Sequence, residues 1–236
     1  MSFRSYKRKL LPWIYVNFTK HANSKEFAVD NSNLCMVVYH LLNNFVNCPI
    51  TNREFILKTH GFNVGIKISH LHNNGVFITK GDALPGSIVA IYPGTVYHPG
   101  DSILFQSVSN SYVFRCSDGV FIDGKHNGIS GLFYKSISGK NQLGPYQSSD
   151  QSWLSLKNLH NPLACGQIVN NGGSENANVC YCEIDIDLQM VPLKQRKCIP
   201  NISHSGPSSW LRMVVLVARS NITEGEEVLS SYFSIC

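Results

Sequence analysis

From Gly65 to its C-terminus the chain is a series of short β-type segments cut by Gly, Pro, Asn and Asp, and this punctuation constrains the fold most. It argues for a mainly β or mixed domain and against repeated strand–helix–strand units. Gly75–Gly81 and Ser87–Tyr92 read as strands joined by a turn at Pro85-Gly86, and Pro93-Gly94 ends the second. Tyr112–Cys116 and Val120–Asp123, joined through Ser117-Asp118-Gly119, form the clearest hairpin. Residues 125–160 lack sustained periodicity and read as an insertion. Beyond them, Glu183–Leu188 alternates strictly, so Ile184, Ile186 and Leu188 share a core face. Glu183, Asp185 and Asp187 share the other face, either as a solvated stripe or as an attraction for a basic peptide. Leu211–Ala218 has the composition of a buried strand, and Val228–Tyr232 makes a last one after the Glu224-Gly225 turn.

Ahead of this region the periodicity is helical. Asn33–Asn47 is apolar around most of a helix circumference, with Asn33 as a plausible N-cap and Pro49 beyond the end. Thr51-Asn-Arg-Glu54 has the spacing of a capping box, and Gly61 offers the matching stop. Residues 1–62 therefore read as a basic arm and helical lead-in to a domain spanning 63–236.

Charge is unevenly spread in this 236-residue chain of net charge +5. Arg4, Lys7, Arg8, Lys9, Lys20 and Lys25 all precede the first acid, Glu26, so the remaining 14 bases face 15 acids. The body is nearly neutral and gives no argument for direct nucleic-acid readout. The basic start fits a flexible arm, a surface-binding segment or an organelle presequence. No apolar run reaches the roughly 18 residues of a membrane span, the longest being Met213–Ala218 between Arg212 and Arg219. The eight cysteines contain no Cys-x-x-Cys pair and no convincing signal peptide precedes them, which predicts reduced thiols and an intracellular protein of nucleus or cytoplasm, with mitochondrial targeting by the basic N-terminus as the alternative.

No catalytic triad, phosphate-cradling glycine loop or paired zinc motif is present. Cys180-Tyr-Cys182 sets two thiols on one side of a strand, short of the four ligands of a structural zinc site, so no metal site is assigned. A redox or metal function based on those thiols is the weakest of the readings. His160 lies near the loop discussed next, where capping or packing suits it better than general-base work. That loop, Gln167-Ile-Val-Asn170-Asn171-Gly172-Gly173-Ser-Glu-Asn-Ala177-Asn178, is an apolar run ending in Asn and Gly. It is either a surface turn or a binding loop, since both residue types tolerate left-handed backbone and allow close approach to the main chain.

Taken together, Asn73-Asn74-Gly75-Val76-Phe77, Tyr92-Pro93-Gly94, Gln167–Asn171 with Ala177-Asn178, and Gly225-Glu226-Glu227-Val228-Leu229-Ser230-Ser231-Tyr232 resemble, in order, the four motifs of the SET domain family. The resemblance runs from about Asn73 to Tyr232. It implies a SET fold of short β-sheets, with a C-terminal segment threading past the Asn loop in a pseudoknot. It also implies an S-adenosylmethionine-dependent protein-lysine N-methyltransferase. By position, Asn74, Gly75, Val76, Phe77, Asn170 and Asn171 would bind the cofactor. Tyr232 would line the same site, its hydroxyl near the reacting methyl and orienting the lysine amine. The implied partner is a protein or peptide presenting lysine, and the enzyme is expected to be a monomer. The sequence departs from the family pattern at Asn73 for glycine, Gln167 for arginine, Asn171 for histidine, Gly172-Gly173 for Ser-Cys, and Ser230 for an aromatic that influences methyl number. Phe233 is either an adenine-stacking or a core residue. The alternative to an enzyme is a catalytically weak SET-fold module that binds a partner protein.

Overall fold

The computed structural model describes residues 30–47, 51–139, 149–206 and 208–235, except the side chains of 46, 47 and 232–235. The basic arm before residue 30 lies outside these residues. Helix α1 (Asn31–Asn47) places Leu34, Val38, Leu41, Leu42 and Phe45 on one buried stripe, the i, i+4, i+7 spacing of a packed helix. Its cap is Asp30 rather than Asn33. The Asp30 carboxylate accepts from Ser32 N at 3.0 Å, and its carbonyl accepts the first helical bond from Leu34. A carboxylate one residue ahead of the helix satisfies an orphan N–H and complements the helix dipole, whereas Asn33 already lies within the first turn. Helix α2 (Asn52–His60) has the expected box, with Thr51 and Glu54 exchanging side-chain bonds with each other's N–H groups. Gly61 closes it in the left-handed conformation, φ 82°.

The strands form two sheets. The larger has seven strands, running β1 (Phe62–Ile68), β2 (Asn74–Gly81), β11 (Glu227–Ile235), β8 (Val179–Asp187), β10 (Trp210–Ala218) and β3 (Ile88–Tyr92), with the two-residue β7 (Asn170–Asn171) paired to β11. The smaller joins β5 (Val113–Arg115), β6 (Phe121–Asp123), β4 (Gly94–Tyr97) and β9 (Asn201–Ser203). The expected hairpin is β5–β6, antiparallel in the register Phe114↔Ile122. The segments on either side of Pro85-Gly86 are both strands but do not pair. β2 lies between β1 and β11, and β3 lies at the far edge against β10.

β8 and β10 pair in unbroken antiparallel register from Trp210↔Asp187 to Ala218↔Val179. This ladder is the centre of the core, with Met213 through Ala218 completely buried. Burying each large apolar side chain of this kind contributes about 1.5–3 kcal/mol, which accounts for the continuous apolar run in β10. Helix α1 packs on β8, where Tyr39 Oη accepts from Asp187 N at 2.7 Å. The described part of 125–160 contains regular structure that its composition does not suggest: helix α3 (Gly128–Gly139) packs on β4 and β9. Its Tyr134 ring meets Trp153 edge-on at 4.9 Å and donates to Asp150 O at 2.8 Å, so tertiary packing supports a helix made of poor helix formers.

The feature that positions the site is the path of β11. It pairs antiparallel with β2 at Glu227 and Val228, then parallel with β7 at Leu229 and Ser230, and meets β8 at Ser230 and Ile235. The last strand thus runs between the Asn loop and the first glycine segment, the crossing the sequence implies.

Candidate functional site

On β2 the alternation places Val76 and Ile78 in the core, while Gly75 and Phe77 share the opposite face. Glu227 is the register partner of Phe77 and belongs to that opposite face. Its carboxylate lies over Gly75, where a Cβ would collide with Glu227 Oε1 and approach Asn170 Nδ2 to 3.1 Å. Glycine is therefore required at 75 by close packing rather than by backbone dihedral.

Asn170 joins the two segments. Its Nδ2 donates to Asn74 O at 3.1 Å and to Glu227 Oε1 at 2.7 Å. Ser69 Oγ donates to Glu227 Oε2 at 2.8 Å, and its Oγ also accepts from Leu71 N, fixing the β1–β2 turn. Four chain segments meet here. Asn178 then clamps β11, donating to Glu227 O at 2.9 Å and accepting from Leu229 N at 2.8 Å, as a side-chain amide can when it mimics a strand edge.

Asn171 is exposed, and its Oδ1 accepts from Gly173 N at 3.0 Å within its own loop. Of the expected cofactor residues, Asn74, Gly75 and Asn170 are brought together directly, and Phe77 is their neighbour along β2. Lys67 Nζ stands 5.9 Å from the Phe77 ring centroid. The Val76 side chain is buried away from this face, and Asn171 turns toward its own loop. Tyr232 is carried by β11, two residues beyond Ser230; its side chain and that of Phe233 lie outside the described residues.

Below the loop, Ser230 is fully buried, with its Oγ 2.9 Å from Tyr181 Oη and 3.3 Å from Asn170 O. Tyr181 reaches this point from β8 and packs against Phe114, itself tilted against Tyr92. Gln167, in the turn leading into the loop, is 6% exposed, and neither end of its amide has a hydrogen-bond partner among the described residues.

Ser69, Glu227 and Tyr181 were not singled out as site residues by sequence reasoning. Glu227 had a signal, as part of the terminal Gly-Glu-Glu segment. Ser69 and Tyr181 had none, because their relevance depends on pairing across the sheet.

On the acidic face of β8, Glu183 and Asp185 are ion-paired within the sheet, while the Asp185 carboxylate stays half exposed. Arg212, on the neighbouring strand, bonds both carboxylate oxygens of Asp185 at 2.8 and 3.0 Å and also reaches Glu183 at 3.1 Å and Asp118 at 2.9 Å. Cross-strand pairing from β10 is the physical reason, which the alternation of β8 alone cannot reveal. Asp118, Glu183 and Cys116 come within 4.8 Å of one another, a metal-like grouping whose carboxylates Arg212 already neutralises. Burial and the nearby Glu183 push the Cys116 thiol up to about 12, and burial does the same for Cys165. Cys180 and Cys182 are fully buried. Cys198 Sγ lies 3.3 Å from His160 Nε2, and burial again raises that thiol to about 12. Neutral thiols of this kind are poor nucleophiles.

The chain is 46% identical over 186 residues to SET domain-containing protein 9 of Pongo abelii, an alignment covering 77% of the chain and 67% of that protein. Against the Homo sapiens protein of the same name the identity is also 46%, and the match spans 62% of its length, less than two thirds. No family model matches the chain. Among solved structures, CpSET8 from Cryptosporidium is similar at 14% identity and TM-score 0.40, covering 99% of this chain and 94% of that one. KRYPTONITE, solved with mCHH DNA, an H3(1-15) peptide and SAH, is similar at 18% identity and TM-score 0.38, covering 73% and 23%. Among the described residues, no helix is long and apolar enough to cross a membrane.

Proposed function

The chain belongs to the SET domain family as a relative of SET domain-containing protein 9, and from that premise we propose that it is an S-adenosylmethionine-dependent protein-lysine N-methyltransferase. The observation that carries the reading is the convergence of Asn74-Gly75, Asn170 and Glu227 at the crossing of β11. The residues present fit the cofactor. The Gly75 face has no side chain of its own, and hydrogen-bond acceptors converge beside it, a set suited to a small cationic amino-acid moiety. Asn74, Gly75, Phe77 and Asn170 would hold it, with Val76 and Asn171 contributing through backbone.

S-adenosylmethionine, when bound, supplies an electrophilic methyl group on a sulfonium. The protein's own task is alignment and exclusion of water, which lowers a displacement barrier by several kcal/mol when the reacting atoms are held in line. A lysine amine has to arrive without its proton, and an apolar channel favours that state because desolvation disfavours the cation. Tyr232, on the threaded strand two residues beyond Ser230, is the residue proposed to orient that amine through its hydroxyl. A phenol with an ordinary pKa near 10 is neutral at physiological pH and acts as a hydrogen-bonding group rather than a base. Isothermal titration with S-adenosylmethionine, followed by methyl incorporation into proteins of a cell extract, tests the proposal. Tyr232→Phe should abolish most incorporation while leaving cofactor affinity within about threefold, a difference under ~0.7 kcal/mol. Absence of both binding and incorporation in the unaltered protein overturns it.

One observation favours the second reading, a SET-fold module that binds a partner protein without turnover. Asn171, which stands where the family has histidine, spends its side-chain oxygen on Gly173 N of its own loop. Tyr232-dependent turnover of the unaltered protein excludes that reading.

A further inference from the structure

Among the described residues, the half-buried Glu227 carboxylate is held only by neutral donors. Ser69 Oγ and Asn170 Nδ2 each bond one of its oxygens, and neither supplies positive charge. Among the described residues, no lysine, arginine or histidine forms an ion pair with it. Lys67, on the same face, places its ammonium over the Phe77 ring. A carboxylate oxygen accepts about two hydrogen bonds, so each oxygen of Glu227 retains capacity.

Asn170 is oriented by the same contact. Both acceptors facing its amide, the Asn74 carbonyl and the Glu227 carboxylate, can only receive protons. Both N–H groups of Nδ2 are therefore committed, and the side-chain oxygen faces the other way, with no hydrogen-bond partner among the described residues. The result is a corner of acceptors carrying one negative charge, set against a glycine whose missing Cβ makes room for the Glu227 carboxylate itself. A primary ammonium group, with three N–H donors and one positive charge, is the complement of that corner.

We infer that Glu227 is a positioning and charge-supplying residue for the α-ammonium of the cofactor's amino-acid portion, acting directly and through the orientation it imposes on Asn170. The inference rests on the methyltransferase reading, and its test separates the two. S-adenosylhomocysteine carries the ammonium without the sulfonium. An analogue in which hydrogen replaces its α-amine lacks only that group. Titrating both ligands into the wild-type protein and Glu227→Gln isolates the coupling between the amine and the carboxylate, as in a double-mutant cycle. The substituted carboxamide would still accept from Asn170 through its oxygen and donate to Ser69 through its nitrogen, so shape is kept and charge is lost.

Wild type should prefer the amine-bearing ligand by about tenfold or more, and Glu227→Gln should bring that ratio to within about threefold, the scale expected of a charge-assisted hydrogen bond. Taking the ratio on one preparation cancels any loss of folded protein. An unchanged ratio in Glu227→Gln overturns the inference while leaving the cofactor reading intact. If that variant does not fold, Glu227→Asp, which withdraws the charge by one methylene, should give an intermediate ratio, and an unchanged one is equally decisive. Wild-type protein that binds neither S-adenosylmethionine nor S-adenosylhomocysteine overturns both readings together.

Discussion

Tyr181 Oη and Ser230 Oγ meet at 2.9 Å inside the fold, where the strand bearing Tyr232 crosses the centre of the large sheet. The family pattern has an aromatic residue at the Ser230 position, but here the aromatic ring comes from β8 and the position itself is fully buried. Ser230→Phe therefore has no room without displacing Tyr181. It should cost about 1–3 kcal/mol or more through overpacking, measured by chemical denaturation. Ser230→Ala, which removes only one hydroxyl contact, should cost about 1 kcal/mol. Equal stability of the Phe variant and wild type would mean that this region is not packed as described.

Gly75→Ala places a methyl group against the Glu227 carboxylate and close to Asn170. A loss of about 1–3 kcal/mol is expected. Because the collision is with one side chain, Gly75→Ala/Glu227→Ala should be more stable than the sum of the single effects predicts, with a coupling of at least about 0.5 kcal/mol. Strict additivity in denaturant melts would remove Glu227 from its place over Gly75.

Arg212 serves three carboxylates from a side chain that is 13% exposed, and Glu183 is equally sheltered at 11%. Arg212→Met should cost about 3 kcal/mol, since it leaves the sheltered Glu183 carboxylate without its ionic partner while the half-exposed Asp118 and Asp185 turn to water. Arg212→Lys should recover little, because an ammonium cannot bond both oxygens of Asp185 while also reaching Asp118 and Glu183. Asp118 adds a pH signature. Burial raises its carboxyl, but the Val120 N–H and Arg212 outweigh this and hold it below its ordinary 3.8. The stability it contributes is thus present above 3.8 and lost as pH falls through the lower folded-state value. Stability–pH curves of Arg212→Met should show a shallower acid loss than wild type.

The elements legible in sequence were those with local causes. The Thr51–Glu54 box, the Gly61 stop and the β5–β6 hairpin each depend on residues within about a dozen positions of one another, where turn and capping chemistry act directly. Helix α3 was not legible, because its Gly- and Ser-rich sequence is held by Tyr134 against Trp153. The Arg212 cluster and the Glu227–Asn170 contact depend on strand register, which brings together residues 27 and 57 positions apart. The motif order in the sequence located the site, but the hydrogen-bond partners came from the path of β11. Thr51→Ala checks the local half of this account. It should cost about 1 kcal/mol through loss of the cap, without affecting cofactor titration.

Asp123 provides a pH dependence of the opposite sign to that of Asp118. The residue is 3% exposed, and Oδ1 accepts from Asn110 Nδ2 at 2.7 Å and Lys125 N at 3.1 Å, while Oδ2 has no hydrogen-bond partner among the described residues. Burial raises its folded-state pKa above 3.8, against the lowering effect of Ser130, Asn110 and Lys125. A group with a raised folded-state pKa holds its proton longer in the native state than in the unfolded chain. Its contribution is therefore most favourable below 3.8 and declines as pH rises through the elevated folded value, beyond which the native state carries a buried, incompletely solvated charge. Asp123→Asn keeps the accepting oxygen and removes that charge. Relative to wild type, the variant should gain stability progressively from about pH 4 upward and level off once the carboxyl is fully ionised. Urea melts at intervals across roughly pH 4–8 measure the difference directly, and a gap between the two proteins that does not change with pH would show that Asp123 does not titrate in a buried environment.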